Sequence, residues 1–337
     1  MTAKPAHMAL RGGVAVISLD QPPVNALSQP LRAGLAAALE AALANPAVRG
    51  IVLCAAGRTW PPGADIREFG SPAVAPSLPD LCDRVEAAEK PVVALLHGTV
   101  LGGGLELALA ARARLARPGT TFGLPEVTLG LCPGAGGTRR LPALIGAKAA
   151  LGIMLTGLPV SAGAAQAMGL IDGIEGQAGA AEAVAAALAL TLADEASPRG
   201  HPGGGRTGGR TGGRTGRGAA DPAAYVAAVA EARAGLREAR LPAPAKIIDC
   251  VEAALLLPAS AAAGFERAAF EDLAATPESR ALRHVFFAER RAARAPSSGP
   301  AGRAIASVAL IGTGAEGAGL AAALAAAGFR ATMVEAD

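Results

Sequence analysis

Aromatic side chains are scarce in this 337-residue chain: one Trp, one Tyr and seven Phe make up 3% of it. None of them falls within 202–218, the segment richest in arginine and glycine. Nucleic-acid modules that lack sequence preference interleave basic groups with aromatic platforms for the bases, so a nucleic-acid-binding role is not expected. Cysteine is equally sparse. Cys54, Cys82, Cys132 and Cys250 are scattered, with no C-x-x-C pair. That pattern argues against a disulfide framework or a structural zinc site and fits a reducing compartment. No uncharged apolar run reaches the roughly 18 residues of a membrane span; Glu182 interrupts the alanine-rich run at 179–193, and Lys148 interrupts 141–157. Near the N-terminus the apolar run Val14–Leu19 is too short for the core of a secretory signal. The expected location is cytoplasmic, with no membrane partner. Charged residues are few, at 18% against 51% hydrophobic with a mean hydropathy of +0.37, so a core can be buried and global disorder is excluded.

The formal charge of +3 and the pI near 8.9 invite an anion-binding reading, but the charges are not spread evenly. Five arginines (Arg199, Arg206, Arg210, Arg214 and Arg217) sit in 199–218 without a single acid, among three consecutive Gly-Gly-Arg-Thr copies. The rest of the chain carries more acids than bases. The basic balance therefore belongs to one low-complexity segment that has no apolar residues to bury.

Around that segment the organisation is regular. Gly13–Leu19, Gly50–Cys54 and Pro91–Leu96 read as buried strands rich in Val, Ile and Leu, and Gln29–Leu43 as a helix. The alternation implies an α/β architecture, and the pattern from about 142 to 195 is mostly helical. We divide the chain into an α/β core at 1–195, a Gly/Arg-rich linker at 196–222, a helical extension at 223–296 and a further α/β start at 304–337. In the extension, Ala223–Arg240, Lys246–Leu257 and Pro277–Arg294 read as amphipathic helices. Thr276 is the expected N-cap of the last one, and Leu282, Val285 and Phe286 its shared face. Ala295–Arg303 reads as a second linker.

The chemistry concentrates in 57–140. Gly102-Gly103-Gly104 precedes Leu105-Glu106-Leu107, a tight turn opening a helix whose first N–H groups are unpaired and favour negative charge. Such donors suit an oxyanion hole. Glu106 falls in the first helical turn, and Glu126 follows a Phe-Gly-x-Pro turn and is expected on a loop. Two carboxylates beside oxyanion donors suit proton transfer next to a polarised carbonyl.

Taken together, Gly63–Ile66, Gly102–Leu107, Phe122–Glu126, Leu129-Gly130, Pro133–Thr138 with Arg140-Leu141, and Leu155-Thr156-Gly157 resemble the crotonase superfamily, the enoyl-CoA hydratase/isomerase family, over about residues 10 to 190. Val24–Ser28 and Ala281–Arg290 are similar to the multifunctional fatty-acid oxidation enzymes of that family. The resemblance implies a crotonase-like ββα spiral core with the helical extension folded back over it. It implies an acyl-CoA substrate whose thioester carbonyl sits between the N–H groups of Ala64 and Gly103, with Glu106 helping water to attack C3 and Glu126 delivering the proton to C2. Arg58 matches a basic position near the CoA adenine and phosphates, and Asp65 and Ile66 lie beside the substrate. Having both glutamates favours hydration of a 2-trans-enoyl-CoA, with Δ3–Δ2 isomerisation as a side activity; isomerisation alone and thioester hydrolysis are the alternatives. Hydration needs no cofactor and no metal. Pro61-Pro62 departs from the small residues expected before Gly63, yet leaves the donor on Ala64 intact. His97 is expected to be structural. The oligomeric state and the preferred acyl length stay open.

A second motif lies at the C-terminal end. Gly312-Thr313-Gly314-Ala315-Glu316-Gly317 follows a strand pattern and opens an alanine-rich helix, with Glu335 23 residues after Gly312. In that context Gly312, Gly314, Gly317 and Glu335 form a dinucleotide-binding fingerprint, an incomplete Rossmann fragment. NAD is expected only in a longer parent enzyme. Glu316 sits where a pyrophosphate would lie, no histidine follows the fingerprint, and one β-α-β piece cannot cover a parallel strand pair. Poor order and weak or absent NAD binding are expected.

Overall fold

The computed structural model describes residues 5–69, 74–176, 180–195, 221–236, 241–293 and 304–335. The Gly-Gly-Arg-Thr run, nearly all of the expected linker 196–222, and the whole linker expected at Ala295–Arg303 lie outside the described residues. By internal compactness the chain divides into two units, Met1–Phe287 and Ala288–Asp337.

The first unit opens with β1 (Ala6–Arg11) and β2 (Val14–Leu19), an antiparallel hairpin, then α1 (Gln29–Ala44), β3 (Gly50–Ala55), α2 (Leu78–Glu86), β4 (Val92–Leu96), β5 (Thr99–Leu101) and α3 (Gly103–Ala110). It continues through β6 (Ala113–Ala116), β7 (Thr121–Gly123), α4 (Gly137–Ile145), α5 (Ala147–Thr156), β8 (Val160–Ser161), α6 (Ala162–Met168), β9 (Gly173–Ile174) and α7 (Ala180–Glu195). The main sheet has the order β1-β2-β3-β4-β6-β9 and is parallel beyond its first pair; β5, β7 and β8 form a second, smaller sheet.

Parallel strands must be covered on both faces, and the period-2 alternation of side chains achieves this. Ile17, Leu19, Ile51, Leu53, Ala94 and Leu96 point into the larger core, whereas Val14, Val16, Val52, Val93 and Leu95 meet Ala181, Ala185, Ala189 and Leu192 of α7. That helical stripe recurs every three to four residues, and its alanines let α7 approach the sheet closely. The strands and the first helix lie where the sequence pattern puts them, to within one or two residues.

The extension consists of α8 (Pro222–Gly235), α9 (Pro242–Leu256), α10 (Ala259–Ala275) and α11 (Pro277–Ala292). Ile247, Ile248, Val251 and Leu273 share the larger core with Leu141 and Leu151, and the buried Tyr225 hydroxyl donates to the Val251 carbonyl at 2.8 Å. So the extension does fold back over the core. Four details differ from expectation. Helix α8 ends at Gly235, short of the expected Arg240. Helix α9 begins at Pro242 rather than Lys246, because proline suits a first helical turn. Helix α10 has no counterpart in the sequence reading. In α11, Thr276 caps as expected, accepting from the Ser279 N–H at 3.2 Å, but Val285 is 49% exposed while Ser279 and Arg283 are buried. The reason is polar: the Arg283 guanidinium donates to the Ala274 carbonyl at 2.8 Å and the Phe69 carbonyl at 3.1 Å, which turns that side of the helix inward.

The second unit contains β10 (Ser307–Ile311), α12 (Ala315–Ala326) and β11 (Arg330–Val334), with the two strands parallel. The strand–helix–strand path is formed, contrary to the expectation of poor order. What holds from that expectation is the lack of cover: no residue of α12 is buried, and Ile311 is 83% exposed.

Ala189 sits directly over Gly50, where an added methyl on the glycine would come within 2.9 Å of the alanine methyl. Ala189→Leu should therefore destabilise the first unit by about 1–3 kcal/mol through overpacking, read as a lower urea midpoint.

Candidate active site

The site is built where the N-terminus of α3 meets the segment 60–64. Gly102 caps α3 with φ of 49°, a left-handed conformation that favours glycine, and its N–H is held by the Gly123 carbonyl at 2.9 Å. A side chain on Gly104 would collide with the Pro61 carbonyl oxygen, so this glycine is what permits the close approach. The Trp60 indole, fully buried, donates to the Gly104 carbonyl at 2.8 Å. From the other side Asn25 donates to the Ala56 and Thr59 carbonyls at 2.8 and 2.9 Å, and the Leu27 N–H to the Gly63 carbonyl at 3.0 Å. As a result Ala64 and Gly103 lie side by side: a methyl on Gly103 would stand 3.2 Å from the Ala64 nitrogen. Among the described residues neither amide donates to a backbone carbonyl outside regular elements, and Gly103 is the first residue of its helix, where no intrahelical acceptor exists. Both residues line a cavity of about 1460 Å³.

Glu106 and Glu126 line the same cavity. Glu106 is 3% exposed, and its Oε1 accepts the N–H groups of Ala135 at 2.6 Å and Gly137 at 2.9 Å. Burial pushes its carboxyl up to about 7; the charge of Glu266 adds to that, and the two amides and Arg140 oppose it. Glu126 does not sit on an open loop as expected. It heads a short 3-10 helix, Glu126–Leu129, its Oε1 lies 3.0 Å from where a methyl on Gly102 would be, and its Oε2 is buried without a hydrogen-bond partner. Burial, then the neighbouring Glu106, raises its carboxyl well above the ordinary range. An ionised carboxylate here has little to stabilise it, so Glu126 is held as the acid while Glu106, with two amides, is the easier of the two to ionise.

The turn that supplies those amides is itself anchored. Arg140, buried, donates to the Ala135 carbonyl at 2.7 Å and is paired with Glu86 at 2.7 Å and Asp83 at 2.6 Å on α2. Glu266 of α10 accepts the Gly136 N–H at 2.5 Å, the Thr138 N–H at 2.9 Å and the Thr138 hydroxyl. Sequence reasoning missed Glu266. The signal was faint: in the structure Ala262, Glu266, Ala269 and Leu273 form the buried stripe of α10, and a lone acid on such a stripe needs partners, but the alanine-rich sequence marks that stripe only weakly.

The remaining expected residues divide. Ile66 lines the cavity. Asp65 does not: it caps the short 3-10 helix Ile66–Glu68 and is paired with Arg67 at 2.6 Å, which holds its carboxyl below the usual range. Arg58 is exposed and lies outside the cavity lining. The chain turns into the core only at Trp60, leaving Arg58 on the outer side of that turn. The basic groups at the cavity are instead Arg32, Arg67, Arg267, Arg280, Arg283 and His284. His97 is structural in its surroundings, with Nε2 3.2 Å from the Gly57 carbonyl. In the second unit the Glu335 carboxylate accepts the Thr313 N–H at 2.9 Å, which joins it to the glycine-rich turn of Gly312 and Gly314; Gly317 lies one turn into α12, where a side chain would strike the Gly312 carbonyl.

Two adjacent unpaired amides and two buried carboxylates on one cavity are an arrangement able to move protons beside a polarised carbonyl. The family model "Enoyl-CoA hydratase/isomerase" matches residues 10–197, and the chain belongs to that family. Among curated relatives, the "Peroxisomal bifunctional enzyme" of Danio rerio is 37% identical over 336 residues, 97% of this chain and 45% of the relative. The "Peroxisomal fatty acid beta-oxidation multifunctional protein MFP2" of Arabidopsis thaliana is 34% identical over 324 residues, 93% of this chain and 43% of the relative. The chain thus spans about half the length of the curated relatives it matches. Among solved structures, EchA1_1 from Mycobacterium paratuberculosis superposes with a TM-score of 0.58 at 27% identity, covering 82% of this chain and 94% of that one. The enoyl-CoA hydratase from Thermoplasma volcanium gives 0.52 at 26% identity, covering 84% and 97%.

The raised Glu126 carboxyl has a stability consequence. The folded state binds its proton more tightly than the unfolded chain, so stability falls as pH rises above the ordinary value of 4.5. Glu126→Gln keeps the shape and removes the ionisation. In thermal melts this variant should gain on the wild type at pH 8, and the gain should vanish near pH 4.

Proposed function

We propose that the first unit hydrates 2-trans-enoyl-CoA thioesters to 3-hydroxyacyl-CoA in fatty-acid β-oxidation, with Δ3–Δ2 enoyl-CoA isomerisation as a side activity. The observation that carries this reading is the presence of both carboxylates, in opposite protonation tendencies, on the cavity that also holds the Ala64 and Gly103 amides. The thioester oxygen accepts from these two amides and gathers negative charge as the C2–C3 double bond is attacked. Glu106 takes a proton from water while the water oxygen bonds to C3. The enolate then collapses as Glu126 delivers its proton to C2, and the pair is reset when a proton passes from Glu106 to Glu126. An isomerase needs one carboxylate that shuttles a proton between C4 and C2, which Glu126 supplies; the second, water-directing carboxylate favours hydration. Phe69, Leu78, Leu129, Leu131 and Phe270 on the cavity wall suit an acyl chain, and the arginines around it suit the CoA phosphates.

The reaction requires no bound metal or redox group. NAD belongs to the parent-enzyme reading, and the second unit fits it incompletely. Its glycine turn and Glu335 have the right chemistry for a diphosphate and a ribose, but Glu316 stands in the first turn of α12, where a second anion is repelled, and only two strands back the site. No hydride step is assigned to this chain. Among the described residues no helix is long and apolar enough to cross a membrane. The sequence points to the cytoplasm, whereas the peroxisomal names of the relatives favour the matrix of that organelle, and fractionation of the tagged chain separates the two.

Loss of the conjugated-thioester absorbance of crotonyl-CoA measures hydration directly. Glu126→Gln and Glu106→Gln should each lower kcat by roughly 10²–10⁴-fold, and full rate in either variant would refute its assigned role. The wild-type rate should be bell-shaped in pH, its acid limb set by ionisation of Glu106 and its alkaline limb by loss of the Glu126 proton. Calorimetric titration with NAD should show no micromolar binding.

A further inference from the structure

We propose that Glu266, carried by the C-terminal extension, is a positioning residue for Glu106: it clamps the Ala135–Thr138 turn whose amides hold the Glu106 carboxylate. The geometry is specific. Glu266 is 3% exposed and accepts three donors from this turn: the Gly136 N–H at 2.5 Å, the Thr138 N–H at 2.9 Å and the Thr138 hydroxyl. The amides on either side of Gly136, from Ala135 and Gly137, turn the opposite way and converge on Glu106 Oε1. One turn thus holds two buried carboxylates back to back, and its four amides alternate between them. Moving Glu266 would move the seat of Glu106.

Burial raises the Glu266 carboxyl above the usual range, while its three donors oppose that shift and favour the ionised form, which only accepts. Its charge faces Glu106 across the turn and disfavours a second negative charge there. The other groups acting on this pair are Glu126 from the 3-10 helix, Arg139 and Arg140 from α4, Cys82 from α2 and Cys132 ahead of the turn. Of these, Arg140 favours ionisation of Glu106 and Arg139 that of Glu266. Arg140 anchors the turn through the Ala135 carbonyl but makes no contact that would replace Glu266 at Gly136 and Thr138. The helical extension therefore completes a site whose other parts lie between β3 and α4.

The proposal rests on the hydration reading, and the experiment separates the two. Wild-type crotonyl-CoA hydration tests that reading by itself. Given activity, Glu266→Gln should keep KM near the wild-type value, lower kcat, and move the acid limb of the pH profile to lower pH, so that the ratio of rates at pH 6 and pH 8 rises severalfold. Glu266→Asp keeps the charge but shortens the reach; it should lower kcat by up to about 100-fold through misplacement with the acid limb nearer its wild-type position. A readout independent of turnover is the infrared carboxyl band of Glu106, assigned by its loss in Glu106→Gln, which should titrate at lower pH in Glu266→Gln. If Glu266→Gln does not fold, Thr138→Val, which removes the hydroxyl donor and leaves α10 in place, should move the same limb in the same direction by less. A folded Glu266→Gln or Thr138→Val protein with an unchanged profile and an unchanged Glu106 band would overturn the proposal.

Discussion

Burial of carboxyl groups is the constraint that organises this structure. Removing such a group from water costs several kcal/mol unless it is neutralised or given donors, and the first unit holds Glu106, Glu126 and Glu266 together. Each is accommodated differently. Glu106 receives two backbone amides on one oxygen, Glu266 receives three donors on two oxygens, and Glu126 keeps one buried oxygen without any partner. The outcome is a graded set: burial raises all three carboxyls, opposed by three donors at Glu266 and by two amides at Glu106, while Glu126 is held as the acid. A reaction that takes a proton at one atom and gives one at another needs such a gradation.

The supporting architecture follows from that need. Backbone amides converge on a carboxylate where they are free of intrahelical partners, and the turn from Pro133 into the N-terminus of α4 at Gly137 and Thr138 is such a place. A turn of this kind has little stiffness of its own. It is made rigid from two sides, by Arg140 tied to Glu86 and Asp83 on α2 and by Glu266 on α10. The amide pair at Ala64 and Gly103 is rigid for a different reason. It depends on backbone packed against backbone, with Gly104 on the Pro61 carbonyl and Trp60 bonded to Gly104, and no flexible side chain intervenes. The two halves of the site thus tolerate change unequally: the amide pair has no room for an added methyl, whereas the carboxylate seat depends on charge.

Much of the fold was legible because its periodicities are clean. Val14–Leu19, Gly50–Ala55 and Val92–Leu96 are continuous apolar runs, as strands covered on both faces must be, and α1 announces itself by composition. Gly102–Gly104 with Glu106 was legible as a turn opening a helix, and as a candidate site only in company with the other motifs, since a glycine triplet alone reads equally as a plain tight turn. Helix α10 was not, since its alanine-rich sequence has a weak stripe and the one residue on that stripe with chemistry, Glu266, reads as an ordinary surface acid until its partners are known. The expected inward face of α11 failed at Val285 in a related way. Apolarity alone predicted the buried face of α11, yet unsatisfied carbonyls at Phe69 and Ala274 drew an arginine inward instead. Arg58 was assigned by position in a motif, and the turn into Trp60 leaves it outside.

The sequence by itself carried the family resemblance, the alternation of strands and helices, and the expectation of two glutamates beside two amides, because all of these depend on local residue types at short spacing. Only the tertiary structure decided how strongly burial raises the proton affinity of each carboxylate, and that a third one, Glu266, stands behind them. Those properties come from burial, from the direction of each amide and from contacts between residues about 130 positions apart, such as Gly136 and Glu266. Proton affinity is a property of surroundings, and here the surroundings of Glu106 are assembled from three distant parts of the chain.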